Sequence, residues 1–109
     1  FTNVSNPRSH INRKDEFKKT LIKKGVTLGA NCTIICGVTL GEFSFIAAGA
    51  VVTKNVRPYA LIAGMPGKQI GWRSQYGEEI PLPIVGNGEY ICKNTGQKYI
   101  LKNENILLD

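Results

Sequence analysis

The chain has 109 residues, 42% of them apolar, and its formal net charge is +6. This length allows one compact domain plus an appendage, and no apolar run reaches the roughly 20 residues that a membrane-spanning helix requires. The start, Phe1-Thr2-Asn3, has neither an initiator Met nor the pattern of a signal peptide, so we expect a soluble, cytoplasmic protein whose sequence continues upstream.

The first 24 residues concentrate the positive charge. Such a run is typical either of a solvated face or of a site for polyanionic small molecules. Nucleic acid is not the predicted partner, because the run has no interleaved aromatic residues and fits no helix-in-groove motif. The cations are Arg8, Arg13, Lys14, Lys18, Lys19, Lys23 and Lys24.

A row of branched aliphatic residues follows at an unbroken spacing of six. A helix has a period of 3.6 and drifts against this spacing, and the glycines between the row positions would weaken it. Short strands separated by turns fit the row, because each group of six then turns the chain and points one aliphatic side chain to a shared axis. The row is Ile22, Leu28, Ile34, Leu40, Ile46 and Val52.

Three such groups per coil predict a parallel β-helix in which row residues eighteen positions apart stack: Ile22 on Leu40, Leu28 on Ile46 and Ile34 on Val52. Small residues that follow row positions are expected to let the backbone turn at the corners; these are Gly29, Gly41 and Ala47. Residues 22–57 supply about two coils, and solenoids need about three to be stable, so we expect further coils or partner subunits.

The regular pattern ends at Pro58 and the segment 59–67. From Gln75 onward two strands are predicted around the turn Asn94-Thr95-Gly96. The three cysteines show no paired spacing of the kind that binds zinc, so no metal site is expected. We expect Cys32 to be packed inward, and Cys36, at a turn position, to be exposed.

Two segments resemble the closing signature of hexapeptide-repeat acetyltransferases. They are Ile46-Ala47-Ala48-Gly49-Ala50-Val51-Val52-Thr53-Lys54-Asn55-Val56 and Gly64-Met65-Pro66-Gly67-Lys68. The opening, with Phe1-Thr2-Asn3, Asn6-Pro7-Arg8 and Arg13-Lys14-Asp15-Glu16-Phe17, is similar to bacterial UDP-2-acetamido-3-amino-2,3-dideoxy-glucuronate N-acetyltransferases. The resemblance implies an all-β, left-handed parallel β-helix: residues 1–73 would hold its C-terminal coils with a loop inserted at 6–20, and residues 74–109 a β-hairpin tail.

The resemblance also implies an acyltransferase. In this family acetyl-CoA lies between adjacent subunits of a trimer, and its acetyl group goes to the amine of a nucleotide-linked 3-aminosugar for surface polysaccharide, the class that includes lipopolysaccharide O-antigen. A dTDP-aminosugar or another small acceptor is the main variant of this activity. A non-catalytic β-helix that serves as an assembly module is the alternative of a different class.

On the acceptor side, the resemblance points to Asn3 as the catalytic residue. Its side-chain carbonyl can accept a hydrogen bond from the amine and aim the lone pair, although an amide is no general base. A turn or ladder asparagine is the structural alternative. Arg8 is a candidate for the substrate's carboxylate or pyrophosphate. His10, the only histidine, is interpreted as a solvated loop residue.

On the donor side, four residues are candidates for binding the cofactor. Ala30 and Ala48 are eighteen residues apart and should lie on adjacent coils, where small corner residues allow pantetheine to approach the backbone. Lys54 and Lys68 match positions where the family presents a cation to the CoA phosphates. Corner residues that serve the fold alone, and ordinary surface lysines, are the alternatives.

Overall fold

The computed structural model describes residues 19–108, which form twelve short strands and no helix. No helical segment of this part of the chain could therefore cross a membrane. The strands are β1 Leu21–Ile22, β2 Thr27–Leu28, β3 Thr33–Ile34, β4 Thr39–Leu40, β5 Phe45–Ile46, β6 Val51–Val52, β7 Ala60–Ala63, β8 Lys68–Arg73, β9 Glu79–Ile80, β10 Gly88–Ile91, β11 Lys98–Lys102 and β12 Asn105–Leu108.

The first six strands stack in three parallel pairs, β1 with β4, β2 with β5 and β3 with β6. The registers pair Ile22 with Leu40, Leu28 with Ile46 and Ile34 with Val52, which confirms the predicted stacking of row residues. Burial grows along the row. The side chains of Ile22 and Leu28 are 40% and 37% exposed, whereas the four later row residues are at most 2% exposed.

The corners differ from the prediction. The backbone turns through left-handed residues three positions after each of the first five row residues. Gly29 and Gly41 do not have this conformation; they are small for another reason. A Cβ on Gly29 would lie 2.4 Å from the Ala48 nitrogen, and one on Gly41 would lie 2.5 Å from the Pro58 nitrogen. The left-handed corner residues are Gly25, Asn31, Gly37, Phe43 and Gly49.

Parallel stacking continues one strand further than predicted. The spacing of six ends at Val52, but β7 still pairs in parallel with β5, with Ile46 opposite Ile62. Strands β8 and β9 then add to β7 in antiparallel order, which gives a five-stranded sheet β2-β5-β7-β8-β9. The stack therefore closes with a change of strand direction after β7. Pro58, which occupies the next position of the row after Val52, ends the spacing of six but not the parallel pairing.

The tail forms the predicted hairpin, β10 with β11, and adds a third antiparallel strand, β12, that the sequence reading did not predict. Its inner side chains Tyr99, Leu101 and Ile106 are at most 2% exposed and belong to one hydrophobic core together with the row residues of the stack. Buried side chains on both sides of residue 73 thus belong to one hydrophobic cluster, in which Tyr99 of the tail meets Tyr59 edge-on.

Candidate functional site

A groove among the described residues lies at the C-terminal end of the stack and encloses about 660 Å³. It is lined by residues 52–57, residues 67–69 and Ile62. Three of these side chains are cationic, Lys54, Arg57 and Lys68, and none is a carboxylate. Because like charges converge on a concave surface, the groove is suited to an anionic ligand.

One wall of the groove is tied to strand β4. The Thr39 N–H donates to Asn55 Oδ1 at 2.8 Å, and the Val56 N–H donates to the Thr39 carbonyl at 2.9 Å. The Gly41 N–H donates in turn to the Val56 carbonyl at 2.8 Å. These bonds fix the backbone that carries Lys54, so the wall depends on the regular stack beneath it.

The opposite wall is tied to strand β6 by the loop between β7 and β8. The Val51 N–H donates to the Gly64 carbonyl at 3.0 Å, and the Gly67 N–H donates to the Val51 carbonyl at 2.7 Å. A Cβ on Gly67 would lie 2.8 Å from that same carbonyl oxygen, so only glycine allows this approach. The peptide bond between Met65 and Pro66 is cis. The loop delivers Lys68 to the groove that Lys54 lines.

Arg57 is the third cation of the groove, and it is not among the binding residues predicted from the sequence. Its Nη1 donates to Gln69 Oε1 at 3.4 Å, and its Nη2 forms an ion pair with Glu104 Oε2 at 3.1 Å. No local pattern points to this pair, because Glu104 lies 47 residues downstream. Only the docking of the tail brings its carboxylate to the groove.

Ala30 and Ala48 lie together at an exposed corner, apart from the groove lining. The Gly49 N–H donates to the Ala30 carbonyl at 2.9 Å, so the two segments lie side by side in the stack, as the spacing of eighteen predicts. The predicted donor-side residues thus form two groups, the lysine pair in the groove and the alanine pair at the corner. Asn3, Arg8 and His10 lie outside the described residues.

The junction between stack and tail is aromatic and polar. Tyr59 stacks on Phe43 with ring centroids 5.6 Å apart, and Tyr99 meets Tyr59 edge-on at 5.4 Å. The Gln75 N–H donates to the Tyr99 hydroxyl at 3.0 Å, and that hydroxyl donates to Gln97 Oε1 at 3.1 Å. Burial raises the pKa of Tyr99 above its ordinary value, because the phenolate would lose its hydration.

The predicted burial of the cysteines is only partly confirmed. Cys36, expected at an exposed turn, is buried, and Cys32 is half-buried against the core. Cys92 is also buried, and a hydrogen bond from Thr95 lowers the pKa of its thiol. Within residues 19–108 no group of His, Cys, Asp and Glu side chains is arranged to hold a metal ion.

Residues 19–54, which include the six stacked strands, match the family described as bacterial transferase hexapeptide, six repeats. The matched residues make up about a third of the chain. The hexapeptide match ends at Lys54, so the cationic groove lies where the repeat gives way to the closing strands.

Curated proteins similar to this chain include two N-acetyltransferases. It is 40% identical over 85 residues to dTDP-3-amino-3,6-dideoxy-α-D-galactopyranose 3-N-acetyltransferase of Aneurinibacillus thermoaerophilus, which is 78% of this chain and 42% of that relative. It is 42% identical over 55 residues to 2,3,4,5-tetrahydropyridine-2,6-dicarboxylate N-acetyltransferase of Staphylococcus aureus, which is 50% of this chain and 23% of that relative. The chain therefore spans less than half the length of each.

Solved hexapeptide acetyltransferases also resemble the chain. One is a hexapeptide-repeat acetyltransferase of Vibrio cholerae complexed with acetyl-CoA, 35% identical with a TM-score of 0.51, covering 52% of this chain and 31% of that one. Another is a galactoside acetyltransferase in complex with CoA, also 35% identical with a TM-score of 0.51, covering 52% of this chain and 28% of that one. The two solved complexes share an acyl carrier, CoA.

Proposed function

We propose that this chain is the donor-binding C-terminal part of an acetyl-CoA-dependent N-acetyltransferase, built as a left-handed parallel β-helix. The observation that carries the proposal is the cationic groove at the end of a hexapeptide stack. Solved proteins 35% identical to this chain hold acetyl-CoA or CoA, whose phosphates need such a surface.

The reaction moves an acetyl group from sulfur to nitrogen. The lone pair of a neutral amine attacks the thioester carbonyl carbon, the tetrahedral oxyanion collapses, the C–S bond breaks, and the CoA thiolate leaves. The nitrogen then loses a proton to solvent. A sugar amine is less basic than lysine and is partly neutral near pH 7, so orientation can take the place of a strong general base. Asn3 is our candidate for orienting the amine through its side-chain carbonyl.

The donor would contact both groups of predicted residues. Lys54 and Lys68 would bind its phosphates in the groove, and the backbone at Ala30 and Ala48 would meet the pantetheine arm at the corner. Because the corner lies apart from the groove lining, a donor that reaches both is bound in an extended form along the side of the stack.

The acceptor we propose is the 3-amino group of a nucleotide-linked sugar. The Aneurinibacillus relative acts on a dTDP-linked 3-aminosugar, and the opening motif resembles enzymes of UDP-linked 3-aminosugars. The 3-amino group is common to both, and Arg8 would bind the pyrophosphate or a sugar carboxylate. We further propose that the protein is a cytoplasmic homotrimer with donor sites between its subunits. Its product would be used in the synthesis of surface polysaccharide.

An acceptor panel tests this function with the full-length protein. We expect release of CoA from acetyl-CoA when a dTDP- or UDP-linked 3-aminosugar is added, with the dTDP compound tried first. The matching 3-hydroxy sugar nucleotides are the control and should release none. Binding of acetyl-CoA without turnover of any 3-aminosugar would contradict the proposed acceptor. Absence of both binding and turnover would contradict the proposed acetyltransferase activity.

Replacing Asn3 separates catalysis from binding. We expect Asn3→Ala to lower kcat about 10- to 100-fold with little change in the Kd of acetyl-CoA, because only the orientation of the acceptor is lost. Asn87→Ala, at an exposed position of the tail, is the matched control and should leave kcat unchanged. An unchanged kcat in Asn3→Ala would remove Asn3 from the catalytic machinery.

A further inference from the structure

Glu104 stands in an unusual turn. It follows Asn103 in the two-residue connection between β11 and β12, where Lys102 pairs with Asn105. Asn103 and Glu104 both have left-handed backbones, with φ of 52° and 63°. A two-residue hairpin with two positive φ values is a type I′ turn, whose second position strongly prefers glycine. A glutamate at this position is strained, and such strain often accompanies a functional side chain.

The carboxylate of Glu104 is directed at the groove. It accepts from Arg57 Nη2 at 3.1 Å, while Arg57 Nη1 donates to Gln69 Oε1 at 3.4 Å. Gln69 is itself held through its Nε2, which donates to the Gly71 carbonyl at 3.3 Å. The guanidinium is therefore fixed on the groove wall from two sides, with its charge compensated from outside the lining.

We propose that Glu104 is a positioning residue that sets the charge of the groove. It pairs with Arg57, so the anionic part of the bound cofactor is held by Lys54 and Lys68, and Arg57 serves as a neutralised part of the wall. The inference rests on the proposed binding of acetyl-CoA in this groove. A third uncompensated cation would strengthen binding of acetyl-CoA and of the product CoA alike, which lowers KM without raising kcat.

The chain offers a matched control for the charge change. Glu89 and Lys98 form an ion pair at 3.5 Å within the same tail sheet, remote from the groove lining, and their side chains are 62% and 38% exposed. The Glu104 and Arg57 side chains are similarly 51% and 42% exposed. Glu89→Gln therefore adds the same net charge to the protein at the same sheet without releasing a groove cation.

The test measures binding of acetyl-CoA, and separately of inorganic pyrophosphate, to the full-length protein at low and high salt. We expect Glu104→Gln to lower the Kd of both ligands about three- to tenfold at low salt and to lose this gain near 0.5 M salt, because solvent ions screen the released charge. Glu104→Gly, which places the preferred residue in the turn, should do the same without loss of stability. Glu89→Gln should change nothing.

A double variant, the kinetic constants and the pattern of ligand binding complete the test. In Arg57→Gln/Glu104→Gln the gain should vanish, and in Glu104→Gln the KM for acetyl-CoA should fall while kcat does not rise. Unchanged or weaker binding in Glu104→Gln, or no binding of either ligand by any variant, would overturn the role of Glu104. Pyrophosphate binding that responds to Glu104→Gln, without any binding of acetyl-CoA, would support Glu104 and overturn the proposed function.

Discussion

At the scale of single residues, glycine serves the stack in two distinct ways. At Gly25, Gly37 and Gly49 it supplies the left-handed backbone of a corner. At Gly29 and Gly41 φ is not in the left-handed region, and the missing Cβ instead makes room for the backbone packed against each glycine. The sequence shows the glycines but does not separate these roles, because both give a small residue near a corner.

The close approach at Gly29 yields a stability prediction. Gly29→Ala would place a Cβ 2.4 Å from the Ala48 nitrogen, so the two stacked backbone segments must move apart. We expect the free energy of unfolding to fall by about 1–3 kcal/mol, the usual range for overpacking. Chemical denaturation measures it.

The matched control is Gly71→Ala, whose Cβ would meet its nearest atom at an ordinary 3.9 Å and whose backbone is not left-handed. Gly71→Ala should change the free energy of unfolding by only a few tenths of a kcal/mol. Equal effects of the two substitutions would contradict the close approach of the Ala48 backbone to Gly29.

At the scale of elements, the parallel strands could be predicted and the docking of the tail could not. The row from Ile22 to Val52 repeats every six residues, so its register follows from counting alone. The contact of Tyr59 with Tyr99 joins segments that share no sequence pattern. Strand β12 has a single buried residue, Ile106, so it shows no alternation from which a strand could be predicted. Long-range packing of irregular segments leaves no periodic signal.

The tail junction should weaken in alkali. Burial raises the folded-state pKa of Tyr99 above its ordinary value near 10, so the neutral phenol is favoured in the folded protein. Its contribution to stability is complete below about pH 10 and is lost as the pH rises through the raised folded value. We therefore expect Tm to fall more steeply above pH 10 in the native sequence than in Tyr99→Phe, which cannot ionise.

Two comparisons complete that experiment. At pH 7, Tyr99→Phe should lose about 1–3 kcal/mol of unfolding free energy, because Gln75 and Gln97 lose the hydroxyl as a partner. Tyr76→Phe, at a residue 62% exposed, should match the native sequence in unfolding free energy at pH 7 and in Tm above pH 10. Parallel alkaline Tm curves for the native sequence and Tyr99→Phe would show that Tyr99 does not titrate at the junction.

At the scale of the whole molecule, the groove is assembled from three segments that are far apart in the sequence. The end of the hexapeptide repeat supplies Lys54, and Arg57 follows just after it. The first residue of β8 is Lys68, and the tail supplies the Glu104 carboxylate that pairs with Arg57. The two lysines could be predicted by resemblance to a family signature. Arg57 and Glu104 could not, since their pairing depends on the folded path of the tail.

Titration calorimetry of the full-length protein tests whether this groove binds the phosphates of acetyl-CoA. We expect Lys54→Gln/Lys68→Gln to raise the Kd of acetyl-CoA about tenfold or more at low salt, and Lys93→Gln, an exposed lysine of the tail, to leave it unchanged. The difference between the native protein and the double variant should shrink as salt is added. Equal affinity of the native protein and the double variant at low salt would show that Lys54 and Lys68 do not bind the phosphates of acetyl-CoA.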